Sequence, residues 1–129
     1  MSSGRLARRR LPGTGRLLQL IACGHVGVGS ALYRKELREI GREGILGAVP
    51  YRGPRATAFW FLVPSPLLWM LGRLLGRAEA AGDAEVLRSV SRFGVLCAPI
   101  AIACVPLSGF WGWLAVSLRG LREARRMGA

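Results

Sequence analysis

The only histidine of the chain, His25, is the residue whose type and position could do chemistry. It lies near the middle of an uncharged stretch, where an ionisable group is a candidate functional site, with Gln19 as a second polar candidate. A neutral imidazole could pass a proton or bind a haem or metal, but each role needs a partner. All seven acids lie in connections or in the tail. Cys23 lies on nearly the opposite helix face, so a hydrogen bond from His25 to a facing carbonyl or hydroxyl is the simpler alternative.

Other patterns of enzyme chemistry are equally scarce in the sequence. Hydrolysis or phosphoryl transfer needs paired carboxylates, or a nucleophile beside a base, and neither pattern is visible. The three cysteines form no Cys-x-x-Cys pair that would indicate a redox or zinc motif. We therefore expect no enzyme activity, and no catalytic, cofactor-binding or metal-binding residues.

The distribution of charge indicates what kind of chain carries these residues. The protein is 51% hydrophobic, yet its net charge is +12. Such a charge alone would suggest a nucleic-acid binder. The basic residues, however, crowd into tails and connections between long uncharged runs, as expected when a charge at the centre of a bilayer costs about 2.5 kcal/mol or more. We expect membrane lipids with anionic headgroups as partners, and no nucleic acid.

The uncharged runs predict an all-α integral membrane protein, an up-and-down four-helix bundle in one membrane domain over residues 17–121. Pro64 and Pro66 predict a kink in the second span, because each removes a helical N–H donor. A signal peptide cleaved after Ala31 is the alternative for the first span. The predicted segments are a flexible basic tail at 1–16, spans at about 17–33, 56–76, 89–106 and 108–121, and a basic C-terminal tail at 122–129.

The uncharged run Phe93–Leu118 could cross a membrane once or twice. Pro106-Leu107-Ser108-Gly109 has the composition of a turn near its middle. Four spans would place thirteen basic residues inside and six outside, whereas three spans would place nine inside and ten outside. Basic residues collect on the cytoplasmic side, so four spans with both termini in the cytoplasm are predicted. A short re-entrant hairpin of the last two helices is the alternative.

Small residues recur at helical spacing on two of the spans. Such patterns allow helices to approach closely, either within one chain or between copies in a homo-oligomer. Both uses are open here. The first stripe is Cys23, Gly27 and Ala31, and the second is Cys97, Ala101 and Cys104.

Several segments resemble an uncharacterised bacterial domain-of-unknown-function family of small four-span integral membrane proteins. They are GHVGVGSALY, IGREG, ATAFWFLVPSPLLWMLGRLL and VPLSGFWGWL, and the resemblance extends from about Leu17 to Leu118. It implies the four-span fold and transfers no activity, because none is established for the family.

These observations favour a structural or accessory interaction protein of the bacterial inner membrane, working in a homo-oligomer or a larger membrane complex. A composition rich in Arg, Ala and Gly suggests a bacterial genome of high GC content. The alternative is a minimal oligomeric transporter or channel with His25 as its buried polar site. That alternative lacks the membrane-buried glutamate on which small proton-coupled exporters depend.

Overall fold

The computed structural model describes residues 12–128, and this part of the chain forms α-helices and no strand. The predicted flexible tail therefore lies mostly outside the described residues, and its last three residues belong to the first helix. The helices are α1 (Thr14–Leu32), α2 (Arg34–Arg42), α3 (Pro54–Leu62), α4 (Pro64–Ala81), α5 (Ala84–Cys104) and α6 (Phe110–Met127).

Short local signals explain where the helices end. Gly82 adopts a left-handed conformation with φ of 70° and ends α4. Asp83 then caps α5, because its side chain accepts the Val86 N–H at 3.0 Å. At the other end of α5, residues 105–109 form the turn expected within the uncharged run. Trp111 Nε1 donates to the Pro106 carbonyl at 2.9 Å across this turn. The run Phe93–Leu118 is thus divided between two helices.

The helical ladder is interrupted where the two prolines predict an interruption. Only Val63, which keeps helical dihedral angles, separates α3 from α4. Together the two helices make a 28-residue segment, Pro54–Ala81. A kink at Pro64 and Pro66 stays a prediction.

The long helices pack as two antiparallel pairs, α1 with α4 and α5 with α6. Contacts of α1 with α6 and of α4 with α5 join the two pairs, and α2 lies against α3. The cluster of larger apolar side chains at the centre is Leu18, Leu75, Leu87 and Val116, with Ala124.

Small residues bring the backbones of each pair together. On α4, a Cβ added at Gly72 would lie 2.8 Å from the Gly15 carbonyl oxygen of α1. In the other pair, a Cβ at Gly94 of α5 would lie 2.9 Å from Ser117 Cβ of α6. These distances leave no room for a side chain, so glycine at these positions is required for the observed helix separation.

Large apolar side chains point outward and small ones inward. Seven of the eleven buried hydrophobic residues are alanines. In contrast, Leu20, Leu67, Phe93, Leu96 and Ile100 are each more than 60% exposed. By length and composition, two helical segments could cross a membrane, Pro54–Ala81 and Ala84–Cys104. They correspond to the second and third of the four predicted spans.

Candidate functional site

His25 lies half-buried on α1, facing the end of α3. Its Nε2 donates to the carbonyl oxygen of Phe61 at 2.7 Å. The imidazole also stacks on the Phe61 ring, with centroids 4.2 Å apart and planes 10° apart. A carbonyl oxygen only accepts hydrogen bonds, so the proton must reside on Nε2. This is the simpler alternative considered for His25, a bond to a facing carbonyl.

Gly29 explains how Phe61 comes so close to α1. A Cβ at Gly29 would lie 2.8 Å from Cδ1 of Phe61, so only glycine leaves space for the ring. The carbonyl of Phe61 lies just before Pro64, where the helical ladder is interrupted. The bond from His25 therefore ties α1 to the junction of α3 and α4.

Replacing His25 tests whether this bond stabilises the fold. His25→Leu removes the donor, whereas His25→Gln places an amide N–H at a similar reach. Hydrogen bonds between membrane helices contribute about 0.6 kcal/mol on average. We expect His25→Leu to lower the free energy of unfolding in detergent by about 1 kcal/mol, including lost stacking. His25→Gln should lower the free energy of unfolding by less than half of that amount. Equal stabilities of the two variants would contradict this role.

The stripe Cys23, Gly27 and Ala31 lies on the exposed face of α1. No atom lies within 4 Å of a Cβ added at Gly27. These residues therefore do not pack against another helix in the described part of the chain. The opposite face of α1 does, through buried residues that include Leu18 and Ala22. Contact with a second copy stays a prediction for this stripe.

The stripe on α5 is also turned away from the tight helix contacts. Cys104 is exposed, and Cys97 and Ala101 are half-buried. The residues of α5 that are fully buried form a different row: Leu87, Ser91, Gly94 and Ala98. Gln19 is half-buried, and its Cγ lies 2.7 Å from where a Cβ at Gly72 would be placed.

The sequence interpretation missed the glycines of α4. Gly72 and Gly76 are four residues apart, a spacing that marks a close helix contact. A Cβ at Gly15 would lie 2.7 Å from Gly76 Cα, so the first turn of α1 packs directly on the two glycines of α4. The spacing was visible in the sequence LGRLLG and could have identified the contact.

A polar cluster joins three helices where α1 begins. No side chain of α1 caps its own N-terminus. Instead, the Glu79 carboxylate of α4 accepts the backbone N–H groups of Thr14 and Gly15, at 2.5 and 3.2 Å. Thr14 Oγ1 donates to Glu123 of α6 at 2.7 Å, and Arg119 pairs with Glu123 at 3.0 Å. The sequence placed both glutamates outside the spans but gave no indication that they meet.

The two glutamates differ in acidity because of their surroundings. Burial raises the pKa of Glu79, and a hydrogen bond with Glu123 raises it further. Burial also pushes the pKa of Glu123 upward, but hydrogen bonds from Thr14 and Glu79 and the charge of Arg119 together lower it. These surroundings thus favour the protonated form of Glu79 more than that of Glu123. Glu79 lies after the predicted second span at about 56–76, and Glu123 lies after the predicted fourth span at about 108–121.

Fold and site together define a small all-helical protein with two helices long and apolar enough to cross a membrane. Residues 9–127 match the model of the Family of unknown function (DUF6463), and the chain belongs to this family. The expected membership of a domain-of-unknown-function family is therefore confirmed. No curated protein and no solved structure matches the chain.

Proposed function

We propose that this protein is an integral membrane protein in which the four helical segments α1, α3–α4, α5 and α6 form a bundle across the bilayer. Its role in this proposal is structural or accessory: it supports other membrane components and catalyses no reaction. The observation that carries the proposal is the inverted distribution of side chains, with small residues inside and large apolar residues outside.

Water and lipid favour opposite distributions of large and small apolar side chains on packed helices. In water, burial of each large apolar side chain contributes about 1.5–3 kcal/mol, so such residues form the core. In lipid this driving force between helices is lost, and close packing of small residues holds helices together. The two most apolar segments have only 22% and 28% of their 18-residue windows buried. A core helix of a water-soluble protein would be mostly buried, so this comparison favours the bilayer.

The proposed orientation rests on where arginines gather. Thr14 contacts Glu123, so the start of α1 and the end of α6 share one end of the structure. Cytoplasmic flanks are enriched in basic residues. We therefore propose a multi-pass protein of the bacterial inner membrane with both termini in the cytoplasm. The arginines near this end are Arg16, Arg73, Arg77, Arg88, Arg92, Arg119, Arg122, Arg125 and Arg126.

Reporter fusions test the orientation directly. A reporter that is active only in the cytoplasm, fused after Ala129, should be active, and a reporter active only outside should be silent there. The same two reporters inserted between Val49 and Tyr51 should give the reverse pattern. An external C-terminus would contradict four crossings and the re-entrant hairpin alike. Membrane fractionation after carbonate washing provides the control for insertion itself.

The structural role is favoured over transport by the surroundings of His25. Its Nε2 is already bonded to a backbone carbonyl, and its ring is stacked on Phe61. A proton carrier would need a partner able to take up the proton. In contrast, the exposed stripe on α1 consists of small residues, which allow close contact with another helix. Its residues are Cys23, Gly27 and Ala31. Crosslinking through Cys23 in membranes would detect a second copy on this face.

A further inference from the structure

A shallow groove of about 430 Å³ lies between α1 and α4, at the end where α1 begins. Gly72 and Gly76 of α4 are among the residues that line it. No atom lies within 4 Å of a Cβ added at Gly76, so the space above this residue is open. Arg16 and Gln19 of α1 line one side of the groove, and Arg73 and Arg77 of α4 line the other.

The charge of this groove is not balanced by its own surroundings. Within residues 12–128 the ion pairs are Arg55–Glu43 and Arg119–Glu123, so the three groove arginines have no carboxylate partner there. Glu79 also lines the groove, but its two oxygens accept the N–H groups at the start of α1. Three arginines from two helices thus line one space. Their planar N–H forks match the oxygens of a phosphate.

Apolar and aromatic side chains lie about one turn along each helix from the groove arginines. The Arg73 guanidinium lies 5.5 Å from the centroid of the Trp69 ring, one turn away on α4. Trp is typical of the membrane–water boundary. Met70 on the same turn of α4 is 52% exposed, and Leu20, one turn after Arg16 on α1, is 61% exposed. A ligand could place a phosphate at the arginines and a hydrocarbon chain against Trp69, Met70 and Leu20. Such a ligand would contact both the basic and the apolar surface.

We propose that this groove binds the phosphate of an anionic phospholipid. The assignment rests on the proposed membrane location and goes beyond it, because it names a site of defined composition rather than a general attraction. Basic pockets between membrane helices on the cytoplasmic side are typical of such headgroup sites. A soluble phosphate would use the arginines but would gain nothing from the apolar surface.

Native mass spectrometry of the detergent-purified protein tests the site. The probes are dioleoyl phosphatidylglycerol, dioleoyl phosphatidylcholine and glycerol 3-phosphate at equal concentration. We expect retention of phosphatidylglycerol at least ten-fold above the other two. Joint replacement of Arg16, Arg73 and Arg77 by Gln should remove this preference. Equal binding of glycerol 3-phosphate would overturn the lipid assignment.

A variant of equal charge separates the site from general attraction. Joint replacement of Arg122, Arg125 and Arg126 by Gln removes the same three charges from exposed positions of α6 at the same end. This α6 variant should change the retention of phosphatidylglycerol less than two-fold. Equal losses of retention in the two triple variants would overturn the proposal. If the groove variant fails to fold, the double variant Arg73→Lys and Arg77→Lys keeps the charge and removes the planar N–H forks, and retention of phosphatidylglycerol should still fall several-fold. A normal reporter orientation together with no preference for phosphatidylglycerol would contradict the groove proposal and leave the membrane proposal intact.

Discussion

Replacing Gly72 with alanine is expected to lower the free energy of unfolding by about 2–3 kcal/mol. The added Cβ would lie 2.8 Å from the Gly15 carbonyl oxygen and 3.0 Å from the Gln19 backbone nitrogen. Backbone atoms cannot rotate away as the end of a side chain can, so α1 must move as a unit. The contact between α1 and α4, one of the two most extensive in the structure, would be weakened along with the polar cluster beyond it. Thermal unfolding in detergent micelles, followed by circular dichroism, measures the change.

Gly27 supplies the matched control for this substitution. It also lies within a long helix, but nothing lies within 4 Å of its added Cβ. Gly27→Ala should therefore show the gain of up to about 1 kcal/mol that alanine gives over glycine in a helix. The two substitutions are chemically identical and should differ in sign. Equal effects would contradict the assignment of Gly72 to a backbone contact.

Gly27→Leu tests whether the exposed stripe of α1 contacts a second copy. Dissociation of an oligomer without a change in the unfolding midpoint would assign the stripe to that contact.

The boundaries of the helices could be predicted because their causes are local. The turn at Gly82-Asp83, the interruption at Pro64 and the turn at residues 106–109 each depend on the chemistry of a few neighbouring residues. Glycine permits positive φ, Asp accepts N–H groups, and proline removes a donor. The all-helical class follows from the length of the apolar runs between these breaks.

The packing faces could not be predicted from the same information. On α1, small residues occur on two faces, and Gly15 with Ala22 is buried whereas Gly27 with Ala31 is exposed. Which face contacts α4 depends on the position of Gly72, a residue far away in the sequence. In the proposed membrane location, hydrophobicity does not decide between the faces, because lipid is as apolar as the helices themselves. The close spacing of Gly72 and Gly76 was the available signal.

The polar cluster was unpredictable for a related reason. Thr14 is separated from Glu79 by 65 residues and from Glu123 by 109. Each glutamate alone resembles an ordinary solvated residue of a connection or tail. Only the antiparallel packing of α1 on α4, closed by α6, brings the two carboxyl groups to the start of α1.

Glu79→Ala is expected to lower the stability at neutral pH more than Glu79→Gln does. Alanine leaves the N–H groups of Thr14 and Gly15 without their acceptor, and loss of such a cap costs about 1–2 kcal/mol. Glutamine keeps one of the two oxygen acceptors for these N–H groups, and its amide N–H can donate to Glu123. Glu79→Gln should therefore lower the free energy of unfolding at pH 7 less than Glu79→Ala does. Unfolding midpoints in detergent give the comparison, with the exposed Glu85→Gln as control.

The pH dependence of stability follows from the same pair. The pKa of Glu79 is raised from 4.5, so its contribution is fully present below pH 4.5 and is lost as pH rises through the higher folded value. The pKa of Glu123 is lowered, so its contribution is present above pH 4.5 and is lost as pH falls through the lower folded value. Stability should thus fall from pH 4.5 toward neutrality in the unmodified protein, and much less in Glu79→Gln, which carries no titrating group at this position. An unchanged slope in Glu79→Gln would show that the proton is not held at Glu79, and the cluster would then act as a helix cap alone.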